Sequence, residues 1–348
     1  MSITRIEAIL ALDGPKDTSD KKWLIRELEN NGCNLSVIDL KQKISEIIFQ
    51  RKPFFRVKMY AEVVRQAIKI NKAATHNTVV FVWKPMSAVV LNWLREIRKK
   101  EYNIISFGWL NPNKDIYFRL NRKAFISKHF YPVVNLDKNI ERYRSFYGLS
   151  DTSRFLFMPD VYDDSSDFDM RNTSAATSNY FFSGGIANRD FESVISVAKK
   201  MKDLKFVIVC DKDRINTKEV PSNVTIHCNI DKEHYYRLMK QSKASIVLLQ
   251  KDKASGLINI CKAIQEGVLC VSSLTESTSM YFPESEEQLL VPLGDIETLE
   301  NVVRKINSLD EETYYEIVQK LQCHLHNCFS PEACVKKILE ELERIKCL

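Results

Sequence analysis

The chain has 348 residues, 45% apolar and 28% charged, with only 9 Gly and 10 Pro. That composition excludes collagen-like, low-complexity and disordered classes and, at ~150 residues per domain, predicts two domains. Its 51 Lys and Arg against 45 Asp and Glu leave a net charge of +6. No nucleic-acid recognition motif accompanies that charge, so nucleic acid is not expected as a partner. No run of ~20 uninterrupted apolar residues marks a membrane span.

The first residues carry a short apolar run that is broken by Glu7 and ends in Asp13 without a small-residue cleavage site. They do not read as a secretory signal, and a cytoplasmic location is expected. Strand-like apolar runs at 5–13, 34–40, 78–84, 103–110, 130–136 and 154–159 alternate with helical stretches at 21–32, 87–100 and 137–149. Residues 160–178 are acidic and rich in Ser and Thr, and read as a linker. The alternation then restarts, with strands at 179–185, 204–211, 223–230, 244–250, 268–274 and 288–295, and ends in helices at 296–309, 311–329 and 331–346. Such alternation requires parallel sheets with crossover helices. The predicted fold class is therefore α/β, with two tandem Rossmann-like doubly wound domains facing across a cleft. The domains are 1–159 and 179–330, joined by the linker, with a last helix in 331–348 expected to pack back on the first. Ligands of such sheets bind at the carboxyl ends of the strands, at the topological switch point.

The small net charge hides two opposite halves. Residues 1–150 hold 27 Lys and Arg against 14 Asp and Glu, or +13, while 151–348 hold 24 against 31, or −7. The basic residues are densest in 41–72, where nine of them face only Glu46 and Glu62, with Phe49, Phe54, Phe55 and Tyr60 interleaved. This stretch is either a solvated helix face or a patch that rests on anionic lipid or receives an anionic substrate. Nine scattered cysteines, odd in number and without a CxxC pair, disfavour a disulfide framework and a zinc site. Six histidines without HxxxH or HxE spacing give no reason to expect a metal.

Two motifs carry chemistry. Gly184 and Gly185, followed by Arg189, lie at the turn from the first strand of the second domain into a helix. Glycines there let backbone approach a ligand, and a helix amino end offers N–H groups to a phosphate. The alternative is a tight turn with Asp190 as an amino-terminal helix charge. Farther on, Ser255, Gly256, Leu257, Asn259 and Lys262 open a second helix, read as capped by Ser255 and ended by Gly267. In the first domain Asp13 sits in a turn just past strand one and is the first candidate for general acid or base, with His129 as the alternative. Lys84, Trp109 and Asn111 follow strands and are candidates for the acceptor.

The order of strand, Gly184-Gly185 and helix, then Ser242–Ser245 before an apolar strand, then Ser255-Gly256 through Ala263 and Gly267, resembles the nucleotide-sugar domain of GT-B glycosyltransferases, family 4-like. The likeness runs on through Leu290–Asp295 and covers about residues 180–305; in the first half it is architectural, apart from Asn139–Leu149 and Phe157–Pro159, which resemble the helix and strand before the linker. It implies sugar transfer from a nucleotide-diphosphate sugar to a lipid-linked or polysaccharide acceptor in cell-surface glycan synthesis, without a metal. The residues 41–72 would then touch the inner face of the membrane. Gly184, Gly185 and Arg189 would meet the diphosphate, and Ser255, Gly256 and Leu257 the phosphates or the sugar. The family's two glutamates, eight positions apart, fall here on Ala254 and Lys262. Either Lys262 meets an unusual donor, or the chain is a GT-B-shaped binding or scaffold protein without transfer activity. An epimerase or phosphorylase of the same architecture is a third reading, with Lys262 the residue to test.

Overall fold

The computed structural model describes residues 6–16, 21–42, 54–109, 112, 118–162, 167–215 and 220–344. Asn111 and the basic residues at 43–53 lie outside them. The chain divides into two compact units, Met1–Pro159 with Pro331–Leu348, and Asp160–Ser330.

In the first unit the elements run β1 (Glu7–Ala11), α1 (Lys22–Asn30), β2 (Asn34–Ile38), α2 (Phe55–Ala73), β3 (Thr78–Val82), α3 (Pro85–Ile97), β4 (Asn103–Trp109), α4 (Phe118–Phe125), β5 (Phe130–Val134), α5 (Asn139–Tyr147) and β6 (Leu156–Phe157). The six strands form one parallel sheet in the order β2-β1-β3-β4-β5-β6. Every residue of β3 (TVVFV) and β5 (FYPVV) is buried, as expected of strands covered by helices on both faces. The chain direction of strand addition reverses between β1 and β3.

Trp109, expected at the acceptor, is a core residue instead. Gly108 has φ +87°, and the pairing of β4 with β5 shifts register between Ser106 and Trp109. This bulge re-aims the Trp109 ring inward. It is 5% exposed, packs edge-on against Phe125, Phe130 and Tyr143, and donates its indole N–H to Ser106 Oγ at 2.9 Å.

The second unit continues with α6 (Thr173–Ala176), β7 (Tyr180–Gly184), α7 (Phe191–Lys200), β8 (Lys205–Val209), β9 (Val224–His227), α8 (Lys232–Lys240), β10 (Ala244–Val247), α9 (Leu257–Gln265), β11 (Leu269–Ser273), α10 (Glu276–Ser279), β12 (Leu290–Val291), α11 (Ile296–Asn307) and α12 (Glu311–Phe329). Its parallel sheet has the order β12-β11-β10-β7-β8-β9. Numbered within the unit this is 6-5-4-1-2-3, the order of dinucleotide-binding sheets, with the switch point between β7 and β10. Aspartates start four of the helices. The side chains of Asp190, Asp231, Asp295 and Asp310 each accept a backbone N–H three residues on.

The described part of the stretch read as a linker folds onto this unit. Ala175 and Ala176 are buried, and the Asn172 amide donates to the Lys240 and Glu266 carbonyls at 2.8 and 2.7 Å. Its small residues permit close packing, where composition alone reads a linker. The final helix, α13 (Pro331–Arg344), belongs to the first unit, packing on α1 and beside β6, with Lys337 Nζ 4.8 Å from the Phe157 ring centre.

Candidate functional site

The switch point of the second sheet is where the two sequence motifs meet. β7 ends at Gly184, and the Gly185 N–H donates to the Val209 carbonyl. The loop that follows is stitched to the loop after β10. The Asp190 N–H donates to Leu248 O at 3.0 Å, the Gln250 N–H to Asn188 O at 3.2 Å, and the Asn188 amide to Lys251 O at 2.9 Å.

Arg189 is held inside this pair of loops and is 8% exposed. Its Nε donates to Gly184 O at 3.1 Å, and its Nη1 to Ala187 O at 2.9 Å and to Ser255 Oγ at 3.2 Å. None of these partners is a carboxylate, and among the described residues no ion pair neutralises the guanidinium. Burial lowers the Arg189 pKa from the ordinary arginine value, yet an arginine remains charged. The glycines are needed for its fit. A Cβ at Gly185, where φ is +134°, would lie 2.7 Å from Arg189 Nε. One at Gly184 would lie 2.6 Å from Tyr235 Oη, and one at Gly256, where φ is +82°, 2.7 Å from Val247 Cγ1.

Ser255, expected to cap the second helix, does not. Gly256 is the residue at the start of α9, and it makes no side-chain cap. The Ser255 hydroxyl is turned to the Ala187 carbonyl at 3.1 Å. The first turn of α9 has no side-chain cap, and its residues Gly256 to Asn259 line the cavity beside it. Asn259 donates its amide to Gly184 O at 3.2 Å and to Tyr235 Oη at 2.7 Å. Burial pushes the Tyr235 phenol well above its ordinary pKa and keeps it neutral.

These groups line one cavity of about 700 Å³, within the range of small-molecule sites. Gly185, Ala187, Arg189, Ala254, Ser255, Gly256, Leu257 and Asn259 are on its wall, together with Asp211, Tyr235 and Tyr236. The last three were invisible to motif reading because they come from the ends of β8 and from α8, far away in sequence. Lys262 does not line the cavity. Its Nζ lies 2.7 Å from Glu266 Oε1, one turn on in the same helix, and Glu266 also holds Lys240 at 2.8 Å.

In the first unit, Asp13 and Lys84 come together at that sheet's own switch point. Asp13 follows β1, Lys84 follows β3, and Asp13 Oδ2 lies 3.3 Å from Lys84 Nζ. His129 does not join them. It precedes β5, at the amino end of the strands, and its Nδ1 is 2.9 Å from Asn103 Oδ1 while Nε2 is buried without a partner. Among the described residues no three His, Cys, Asp or Glu side chains gather as metal ligands, and no helix is long and apolar enough to cross a membrane.

No protein-family model matches the chain, and no curated protein matches it by sequence. Solved structures do. A glycosyltransferase from Rickettsia africae superposes with TM-score 0.68 at 13% identity over 99% of this chain and 100% of its own. The α,α-trehalose-phosphate synthase (UDP-forming) of Burkholderia vietnamiensis gives 0.67 at 10% identity over 98% and 100%. HepE of Anabaena, in complex with UDP, gives 0.66 at 10% identity over 97% and 100%. With two six-stranded parallel sheets, each carrying a switch point, and a likeness that spans the described chain, this protein has the GT-B fold of glycosyltransferases.

Proposed function

We propose that the chain is a glycosyltransferase that takes a sugar from a nucleotide-diphosphate sugar bound in the cavity between the β7 and β10 loops. The observation that carries this reading is the Arg189 guanidinium, almost wholly buried on the cavity wall with carbonyls and a hydroxyl but no carboxylate around it. A buried charge without a counter-charge costs several kcal/mol, and a diphosphate beside it supplies the missing anion. The amino end of α9 adds its N–H groups and dipole. As the bond from sugar to diphosphate breaks, negative charge grows on the leaving phosphate oxygen. Fixed donors on the cavity wall would stabilise that oxygen more than they stabilise the bound donor, which is what lowers a barrier.

Asp211 is the group we assign to the ribose hydroxyls. It lines the cavity just after β8, the strand end that supplies the ribose carboxylate in dinucleotide-binding sheets. It takes the part that the glutamates of the resembling family would play at Ala254 and Lys262. The acceptor hydroxyl is assigned to the first unit, with Asp13 to take its proton and Lys84 to orient Asp13. The acceptor we expect is lipid-linked or a surface polysaccharide, and the neighbours' UDP makes UDP the first donor base to try.

A membrane-facing acceptor fits the outer face of α2. Val57, Ala61, Val64 and Ile68 recur at helical spacing on its exposed side, after the 82% exposed Phe54, while Met59, Val63 and Ile70 face the core. The exposed Lys58, Lys69 and Lys72 flank that apolar stripe. An apolar stripe edged by cations is the pattern of a helix lying in a lipid interface.

The test is a thermal-shift and calorimetric screen against UDP, GDP, CDP and dTDP, since a ligand at ~100 times its Kd adds ~2.7 kcal/mol to the folded state. Stabilisation by one nucleotide, lost in Arg189→Met, supports the donor site, and its absence with all four removes it. The second reading, a GT-B-shaped nucleotide- or glycan-binding protein, is favoured by Ala254 and by the engagement of Lys262 with Glu266. It takes over if a nucleotide binds but no sugar is released from its nucleotide in the presence of membrane lipid or glycan.

A further inference from the structure

Two cysteines stand side by side at one end of the cavity. Cys210 follows β8 and Cys228 follows β9, and those strands pair in parallel with Val209 opposite His227. The next residue of each strand is therefore also abreast. The Cys210 N–H donates to the His227 carbonyl at 3.1 Å, which sets Cys210 directly across from Cys228. Neighbouring strands lie about 4.8 Å apart, inside the roughly 4.4–6.8 Å that a disulfide spans between Cα atoms. Both side chains are free thiols. Cys210 is buried and lines the cavity, Cys228 is half-buried, and the two residues after it, Asn229 and Ile230, line the cavity as well.

We propose that Cys210 and Cys228 form a reversible disulfide that ties together the two loops at this end of the cavity. The oxidant is a low-molecular-weight disulfide such as oxidised glutathione. The more accessible Cys228 loses its proton to solvent, and its thiolate attacks the small disulfide, breaking that S–S bond and releasing one small thiol. The Cys210 sulfur, after giving up its proton, then attacks the Cys228 sulfur of the mixed disulfide and releases the second small thiol. Two electrons pass from the cysteine pair to the small disulfide, and the two protons end on the released thiols. Burial pushes the Cys210 thiol up to about 11, so it stays protonated and unreactive until the mixed disulfide stands beside it. The new bond of about 2.05 Å fixes the two strand ends to each other, drawing Asp211 toward Asn229 and narrowing the cavity there. That last consequence for nucleotide rests on the donor-site reading; the bond itself does not.

The full chain, incubated with oxidised glutathione, is examined by intact mass and by non-reducing tryptic mapping. The expected result is the loss of two hydrogens, a crosslink between the peptides that carry Cys210 and Cys228, reversal by dithiothreitol, and no crosslink in Cys228→Ser. Hydrogen exchange in the loops after β8 and β9 slows in the oxidised protein, and UDP affinity falls several-fold. Separate alkylation of the two cysteines in the oxidised wild type overturns the proposal, as does a crosslink that leaves exchange in both loops unchanged. Slowed exchange without UDP binding in either redox form upholds the bridge and removes the donor-site reading instead.

Discussion

Arg189 Nη1 and Ser255 Oγ both reach the carbonyl of Ala187, at 2.9 and 3.1 Å, and lie 3.2 Å from each other. This closed triangle joins a side chain after β7 to one after β10, so the two loops at the switch point hold one another. It also explains why Ser255 leaves its helix uncapped. In Ser255→Ala the triangle loses two hydrogen bonds, with an expected cost of about 1–3 kcal/mol. Denaturant unfolding measures it, and nucleotide affinity should fall with it, because Arg189 gains freedom.

Replacing Arg189 by Met separates binding from folding. The several kcal/mol that burying the charge costs and the three hydrogen bonds that the guanidinium donates oppose each other, so unfolding free energy should change by less than about 1 kcal/mol. A charge-assisted bond to phosphate is worth about 1.5–3 kcal/mol, which corresponds to roughly 10- to 100-fold in the Kd for nucleotide. Calorimetric titration of a variant with unchanged Tm is the measurement; equal affinity in both proteins counts against the phosphate assignment.

Gly184→Ala and Gly256→Ala should both destabilise, by about 1–3 kcal/mol each through overpacking. The new methyl meets Tyr235 and Phe182 in the first case and Val247 in the second, where the positive φ adds strain. Gly294→Ala is the comparison. Its φ is +74° but nothing lies within 4 Å of the added carbon, so only the conformational part of the cost remains. Thermal unfolding of the three variants reads out the difference.

Asp211 and Lys262 make opposite predictions. Asp211→Asn should weaken nucleotide binding about tenfold, the loss of one charge-assisted bond to a hydroxyl. Lys262→Ala should leave it unchanged and cost less than about 1 kcal/mol in stability, as expected for an ion pair within one helix. A reversed order would return the ribose contact to α9.

His129 gives a pH signature. Burial, then the nearby Arg95, lowers its pKa below the usual 6.5 in the folded chain. With Nδ1 bonded to Asn103 Oδ1 and Nε2 buried unpartnered, a proton is bound more readily by the unfolded state. Its stability contribution is therefore complete above about pH 6.5 and is lost as pH falls through the folded value. Urea unfolding at pH 7.5 and pH 5 should show a smaller loss in His129→Gln than in the wild type.

Neutralising Lys58, Lys69 and Lys72 together should lower binding to anionic vesicles by about 1 kcal/mol per charge, with a steep salt dependence. Co-sedimentation with phosphatidylglycerol and phosphatidylcholine vesicles is the measurement. Equal binding by variant and wild type removes the membrane assignment.

Both sheets were legible because their strands are nearly continuous apolar runs bounded by helical periods, as in Thr78–Val82 and Leu269–Ser273. α2 was not. Apolar residues on its exposed face, Val57, Val64 and Ile68, fill in the polar side of the 3.6-residue pattern and blur it. Gly185, Arg189 and the start of α9 were legible as residues of one cavity because the amino ends of helices that follow strands gather at the switch point. Tyr235 and Asp211 were not, since only the crossing of the chain brings α8 and the end of β8 to that spot. Trp109 was misread because one glycine with positive φ breaks the alternation that a strand's pattern depends on.

The position of α13 has a consequence for assembly. The first unit takes its final layer from residues that follow the whole of the second unit along the chain. A ribosome delivering residues in order completes the second unit while α1 and β6 still lack their cover. The early unit must therefore wait, its apolar surface exposed, until the late one has emerged. Removal of Pro331–Arg344 should accordingly damage the distant first unit, while leaving the unit that immediately precedes the cut nearly intact.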